Sequence, residues 1–211
     1  MGHMKKTDVD QPVFDGECQL MKETEIEGSR SDAGTFAHTA FVLEHEGHAF
    51  YQCVFDHVTI TPSMRSAMFV DCTFMHCDFS NASFQETVLR RCRLSNCRLT
   101  GTDFSSSIFQ DVLFADCHLG YGNFSGSKLK WVRFSACMMK DSAFSLGSQN
   151  HLYFTRCDLS GAEFLQMPLK DIDFTDDTID GFSVNTECLR GAIMSQEQAA
   201  ACARLLGIIV R

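Results

Sequence analysis

From Phe69 to Leu189 the chain repeats every five residues without a slip. Of the 25 positions in that series, 24 are large and apolar, and only Gln149 breaks it. A helix repeats every 3.6 residues and a strand every two, so neither gives a strict period of five. Each pentapeptide must be one side of an object that turns. Two residues before each centre lies a second series of mostly small residues, among them Ala67, Cys72, Cys77, Ala82, Thr87, Cys92, Cys97, Thr102 and Ser107. Ser or Thr often follows the centre.

The small positions sort into columns twenty residues apart. Cys77, Cys97, Cys117, Cys137 and Cys157 form one column, and Phe84, Phe104, Phe124, Phe144 and Phe164 form another among the centres. Like residues at a fixed interval stack, so four pentapeptides make one coil of a four-sided solenoid. Coils at strand spacing, about 4.8 Å, bury Phe and Leu in a rod that no single coil can close alone. Upstream, Phe50, Phe55 and Ile60 continue the period. "TPSM" (61–64) then loses one residue of register, which reads as a small bulge, and Phe36 and Phe41 add an earlier, looser coil.

The motifs "CDFSN", "ASFQE", "CRLSN", "CRLTG", "TDFSS", "CDLSG" and "AEFLQ" resemble the A(D/N)Lxx unit of the pentapeptide-repeat family. The resemblance covers residues 67 to about 190. It implies an all-β solenoid, a right-handed quadrilateral β-helix with four repeats per coil. The expected organisation is an N-terminal scar and cap over 1–35, the solenoid over 36–190, and a short C-terminal helix and tail over 191–211. "MGHM" reads as a cloning scar with Met4 as the natural start.

The repeat decays near 177–189, where Asp177 and Glu187 take small positions and Phe182 is oversized for one. In "SQEQAAACARLLGIIV", Ser195 and Gln198 have capping-box spacing, the following stretch is helix-forming, and Gly207 is a stop. The apolar tail covers the rod end. It reads either as a cap alone or as a cap that also dimerises through Leu205, Leu206, Ile208, Ile209 and Val210, the second being favoured because a lone rod would leave them exposed.

That ending is similar to one subgroup of the family, the Qnr-like and MfpA-like proteins. The unbroken register is similar to its loopless Gram-positive members. The resemblance implies a protein with the size, shape and charge of a DNA duplex, which binds DNA gyrase or topoisomerase IV and protects it from fluoroquinolones.

Charge bears on that implication. The formal net charge is −9, a poor match to nucleic acid or anionic lipid but suited to a basic partner. From Phe69 onward the side centred on Phe84 carries Glu86, Asp103 and Glu163 and no Lys or Arg. The preceding side carries Asp78, Asp141, Asp158 and Asp180 against Arg98 and Lys140. The other two sides hold most of the base. A rod of about seven coils is roughly 34 Å long at strand spacing, a length over which duplex DNA carries on the order of 20 charges. A mimic built on this chain uses placed carboxylates rather than equal charge density. The expected partner-binding residues are Asp78, Glu86, Asp103, Asp141, Asp158 and Glu163. In the stretch "DCTFMHCDFSNASF" (71–84), Asp78 and Asp71 are the functional candidates.

Chemistry beyond binding finds little footing. There is no C-x2-C, so a zinc site is not indicated, and cysteines at inward positions behave as small hydrophobes. Eleven cysteines without a signal peptide fit free thiols in a cytoplasm. "EHEGH" (44–48) has the wrong spacing for a zincin and reads as a polar turn. His38, His57, His76, His118 and His151 read as scattered outward residues with no common partner. Phosphate-loop, Rossmann and nucleophile-elbow motifs are absent, and a packed solenoid offers no pocket. The expectation is a binding protein without cofactor or metal, cytoplasmic and not an enzyme. A scaffold binding another protein, or self-immunity against a gyrase-poisoning natural product, are the alternatives.

Overall fold

The computed structural model describes residues 10–13, 19–20, 30–41, 46–60, 63–204 and 207–210. They form a parallel β-solenoid closed at one end by a short helix. Four eight-residue strands, Val88–Ser95, Ile108–Ala115, Lys128–Ser135 and Ser148–Thr155, stack in register, with Val88 beside Ile108, Lys128 and Ser148 in turn. Each step is twenty residues. Each strand spans two sides of the rod, which we call strand sides. The other two sides carry only single bridges, in ladders such as Asp78–Arg98–His118–Met138–Asp158 and Ser83–Asp103–Asn123–Ala143–Glu163. We call these turn sides.

The corners of the regular coils turn in the same way. From Ser66 to Asp171 each fifth residue, two after a centre, has φ between +48° and +71°. This left-handed conformation costs an ordinary residue roughly 1–2 kcal/mol. Asn, Asp and Gly fill many corners, yet Arg91, Tyr121, Trp131 and Leu146 fill others. What offsets the strain is stacking. Most corner N–H groups are aimed at a backbone carbonyl of the next coil, as in Asn81 N to Thr100 O at 2.9 Å and Tyr121 N to Lys140 O at 2.9 Å.

The centres form the core. The rings of Phe84, Phe104, Phe124, Phe144 and Phe164 stack at centroid spacings of 5.2, 5.2, 4.8 and 5.0 Å. Cysteines fill the space between, all free among the described residues. Burial pushes the Cys72 thiol well above the ordinary range. Most inward hydroxyls and thiols in these columns find a backbone carbonyl, as Ser127 Oγ does at Phe104 O (2.8 Å) and Cys97 Sγ at Ser95 O (3.3 Å), while the buried Ser142 Oγ has no partner among the described residues. At Gln149 the core series opens, and its amide donates instead to Lys170 O at 2.9 Å.

Three expectations change. The solenoid begins earlier than residue 36, because Arg30–Asp32 pairs with Ala49–Tyr51. The register loss near 61–64 is a shortened coil rather than an added bulge. Phe36, Phe55 and Phe74 stack at steps of nineteen, as do Phe50 and Phe69, before the step becomes twenty at Ser63 and Ser83. His48 is no exposed turn residue. It is buried at an inward position, 3.0 Å from Ser31 Oγ, filling the space that a small Ser31 leaves. Glu44 and His45 lie outside the described residues.

The C-terminal helix, Gln196–Ala203, starts at Ser195 through the expected capping box. Gln198 also fixes it to the rod, donating to Phe174 O at 2.8 Å and Asp177 O at 2.9 Å. No described helix is long and apolar enough to cross a membrane.

Candidate partner-binding surface

The six expected acids all lie on the turn sides. Three of them, Asp78, Asp103 and Asp158, are there for a local reason that sequence patterning missed. Each precedes a centre on a turn side and accepts a hydrogen bond from the backbone N–H two residues on. Ser80 N donates to Asp78 Oδ1 at 3.0 Å, Ser105 N to Asp103 Oδ1 at 2.9 Å, and Ser160 N to Asp158 Oδ1 at 3.0 Å. These are Asx turns, which Asp and Asn supply and Leu cannot. The D-x-S spacing in "CDFSN", "TDFSS" and "CDLSG" was the signal.

An Asx turn uses one carboxylate oxygen and leaves the other available. Hydrogen bonds from the Ser160 hydroxyl and N–H hold Asp158 below the usual carboxylate range, so it stays charged. For Asp78 burial acts upward, but the Ser80 bonds outweigh it and the net direction is also downward. Asp103 is more engaged. Its second oxygen accepts from Gln85 Nε2 at 2.5 Å and its first also from Asn123 Nδ2 at 3.1 Å.

Two of the six have a basic neighbour on the rod itself. Glu86 meets Arg65 at 2.7 Å, one coil earlier on the same turn side, so that side does carry a base once the coil before Phe69 is included. Asp78 has Arg98 above it at 3.7 Å, a loose contact with the Arg98 side chain 74% exposed. Among the described residues, Asp103, Asp141, Asp158 and Glu163 have no ion-pair partner within 4 Å. Asp103 and Glu163 share one ladder, three rungs apart. These four acids occupy two adjacent sides of the rod.

Asp71 leaves the candidate set. It is buried and gripped by Arg91 on the next coil, so it cannot meet a partner. The described residues do contain a cleft, of about 370 Å³, between the last coil and the helix, lined by Asp177, Ile179, Phe182, Gln198 and Cys202 among others.

At the chain's end Ile208, Ile209 and Val210 are exposed by 52%, 83% and 44%. Leu205 and Leu206 lie outside the described residues. The histidines are not all scattered. His57 stacks on both His38 and His76 at the same corner, while His151 stacks on Trp131 and His118 stands apart on a turn side.

The four-sided coil of five-residue sides defines the class, a β-solenoid assembled from pentapeptides. Residues 67–144 match the family model described as a pentapeptide repeat region, and over that stretch the chain is built of pentapeptide repeats. No curated protein matches the sequence. Solved structures with a likeness include a trypsin-treated variant of QnrB1, a plasmid-mediated fluoroquinolone resistance protein, at 21% identity over 91% of this chain and 95% of that one, TM-score 0.43. Full-length QnrB1 is 16% identical over 85% of this chain and 100% of its own, TM-score 0.31. HetL, a pentapeptide repeat protein involved in heterocyst differentiation regulation from the cyanobacterium Nostoc sp. strain PCC 7120, is 13% identical over 79% and 90%, TM-score 0.40.

Proposed function

We propose that the chain is a binding protein whose turn sides occupy the DNA-binding surface of a type II topoisomerase, DNA gyrase or topoisomerase IV. There it protects the enzyme from fluoroquinolones. The carrying observation is the placement of Asp103, Asp141, Asp158 and Glu163, which lack a basic neighbour within ion-pair distance, on two adjacent sides of a stiff rod. A basic groove recognises such a surface through charge complementarity at fixed spacing. The similarity of the C-terminal stretch to the Qnr-like and MfpA-like proteins supports the choice of topoisomerase as the basic partner. In this reading the protein is cytoplasmic, dimerises through its C-terminal end, contacts no nucleic acid and catalyses nothing.

The test is a gyrase supercoiling assay with and without ciprofloxacin, titrating this protein. The wild type is expected to restore supercoiling in the presence of the drug. Asp103→Asn, Asp141→Asn, Asp158→Asn and Glu163→Gln combined remove four charges while leaving the Asx-turn acceptors in place. That variant should keep the circular dichroism of the wild type and lose protection. Inhibition of gyrase without rescue would retain the mimicry and remove the resistance. No effect on either reaction would favour a scaffold for another partner.

A further inference from the structure

The N-terminal coils carry a second surface, unrelated to the acidic sides. His38, His57 and His76 occupy the same corner of three successive coils, all left-handed, with φ of 53°, 52° and 53°. Their backbones are fixed by the ladder, with His38 N bonded to Asp56 O and His57 N to Met75 O, each at 2.9 Å. The rings project outward and stack at 4.7 Å in both steps. Asp56, one residue before His57, reaches into the stack. Its Oδ1 lies 2.8 Å from His57 Nδ1 and 3.3 Å from His76 Nδ1.

We propose that His38, Asp56 and His57 bind a divalent transition-metal ion, with His76 beside them as a further donor. The donor atoms of the first three already lie within 4.8 Å of one another. An ion with bonds of about 2.1 Å needs its ligands roughly 3.4 Å apart. Half-exposed side chains on a fixed backbone can close that gap by rotamer adjustment alone. Left-handed corners favour histidine, which accounts for each ring singly. It does not account for a carboxylate that converges on the same stack. A carboxylate only accepts, so neutral His57 and His76 present Nδ1–H to it and keep Nε2 bare as a metal-binding lone pair. Either oxygen of Asp56 can then bind the ion or orient a ring that does. Two imidazoles with one carboxylate suit Zn²⁺, Cu²⁺, Ni²⁺ or Co²⁺, and not Mg²⁺ or Ca²⁺, which take oxygen.

The probe is Co²⁺ followed by visible absorption, with Zn²⁺ as competitor, on the full chain. The wild type should take up one Co²⁺ per chain, with ligand-field bands and no thiolate charge-transfer band, and Zn²⁺ should displace it. His38→Asn/His57→Asn keeps residues that tolerate the left-handed corner, so circular dichroism should be unchanged while the Co²⁺ spectrum is lost. His118→Asn/His151→Asn should bind as the wild type does. Equal binding by the first variant and the wild type, a thiolate band, or no stoichiometric uptake by the wild type would each overturn the assignment.

Discussion

Arg91 grips the carboxylate of Asp71, one coil below it, with both ends of its guanidinium: Nε lies 2.6 Å from Oδ1 and Nη2 2.5 Å from Oδ2. The backbone N–H of Val13 reaches the same Oδ1 at 3.2 Å, so the pair also holds an N-terminal segment against the rod. A forked, mostly buried ion pair is stronger than the usual surface pair. Asp71→Asn keeps a residue suited to the left-handed corner and removes the charge. It should lower unfolding stability by about 1–3 kcal/mol in urea denaturation. A change within error would show that the corner, not the ion pair, sets stability here.

The same pair shows what the sequence could and could not reveal. A twenty-residue period correctly stacks position 71 under 91, and the core columns and the helix cap follow from the same reasoning. The period says nothing about whether Asp71 points out to a partner or along the rod to Arg91. Glu86 shows the same limit, its neighbour Arg65 lying one coil before the regular series. The histidine ladder was hidden by a register effect. His38, His57 and His76 are nineteen apart, and a search at twenty scatters them. The left-handed corners were hidden too, because the inter-coil hydrogen bonds impose them on Arg91, Trp131 and Leu146 regardless of preference.

Gly161 and Gly181 separate corner strain from steric contact. Both are left-handed, with φ of +71° and +69°. A Cβ at Gly161 would lie 2.2 Å from Asp141 Oδ1, whereas at Gly181 it would meet nothing within 4 Å. Gly181→Ala should therefore cost only the backbone term, about 1 kcal/mol. Gly161→Ala should cost more, unless the Asp141 carboxylate swings away. In that case topoisomerase protection should fall while stability matches Gly181→Ala. Thermal melts and the supercoiling assay together distinguish these outcomes. Equal melts with unchanged protection would remove Asp141 from the partner surface.

Asp177 is the buried carboxyl in the decaying part of the repeat. Its Oδ1 accepts from Cys157 N at 2.7 Å, while Oδ2 has no partner among the described residues. Burial, with the nearby charges of Asp176 and Asp173, pushes it up to about 6, against the pull of the Cys157 bond. A raised carboxyl holds its proton more tightly in the folded state than in the unfolded chain. Its contribution is thus most favourable below the unfolded value of about 4 and is lost as pH rises through 6. Asp177→Asn keeps the acceptor and never ionises. The difference in melting temperature, variant minus wild type, should be smallest near pH 4 and grow toward pH 7. A difference that stays flat across this range would mean Asp177 titrates as it does in the unfolded chain.

Ile209 tests the dimer. Three consecutive apolar residues exposed at the rod end, with Ile209 the most exposed at 83%, form a surface that a second copy can cover by two-fold symmetry. The helix before them does not depend on that contact, since the Ser195 capping box and the Gln198 bonds to Phe174 and Asp177 already anchor it. Ile209→Asp should therefore leave the circular dichroism unchanged and convert a dimer into a monomer in light scattering behind size exclusion. If topoisomerase binding needs both rods, the monomer should also protect less, through lost avidity rather than an altered face. A wild type that is already monomeric at micromolar concentration would leave the tail as a cap alone, and the partner surface would then have to act as a single rod.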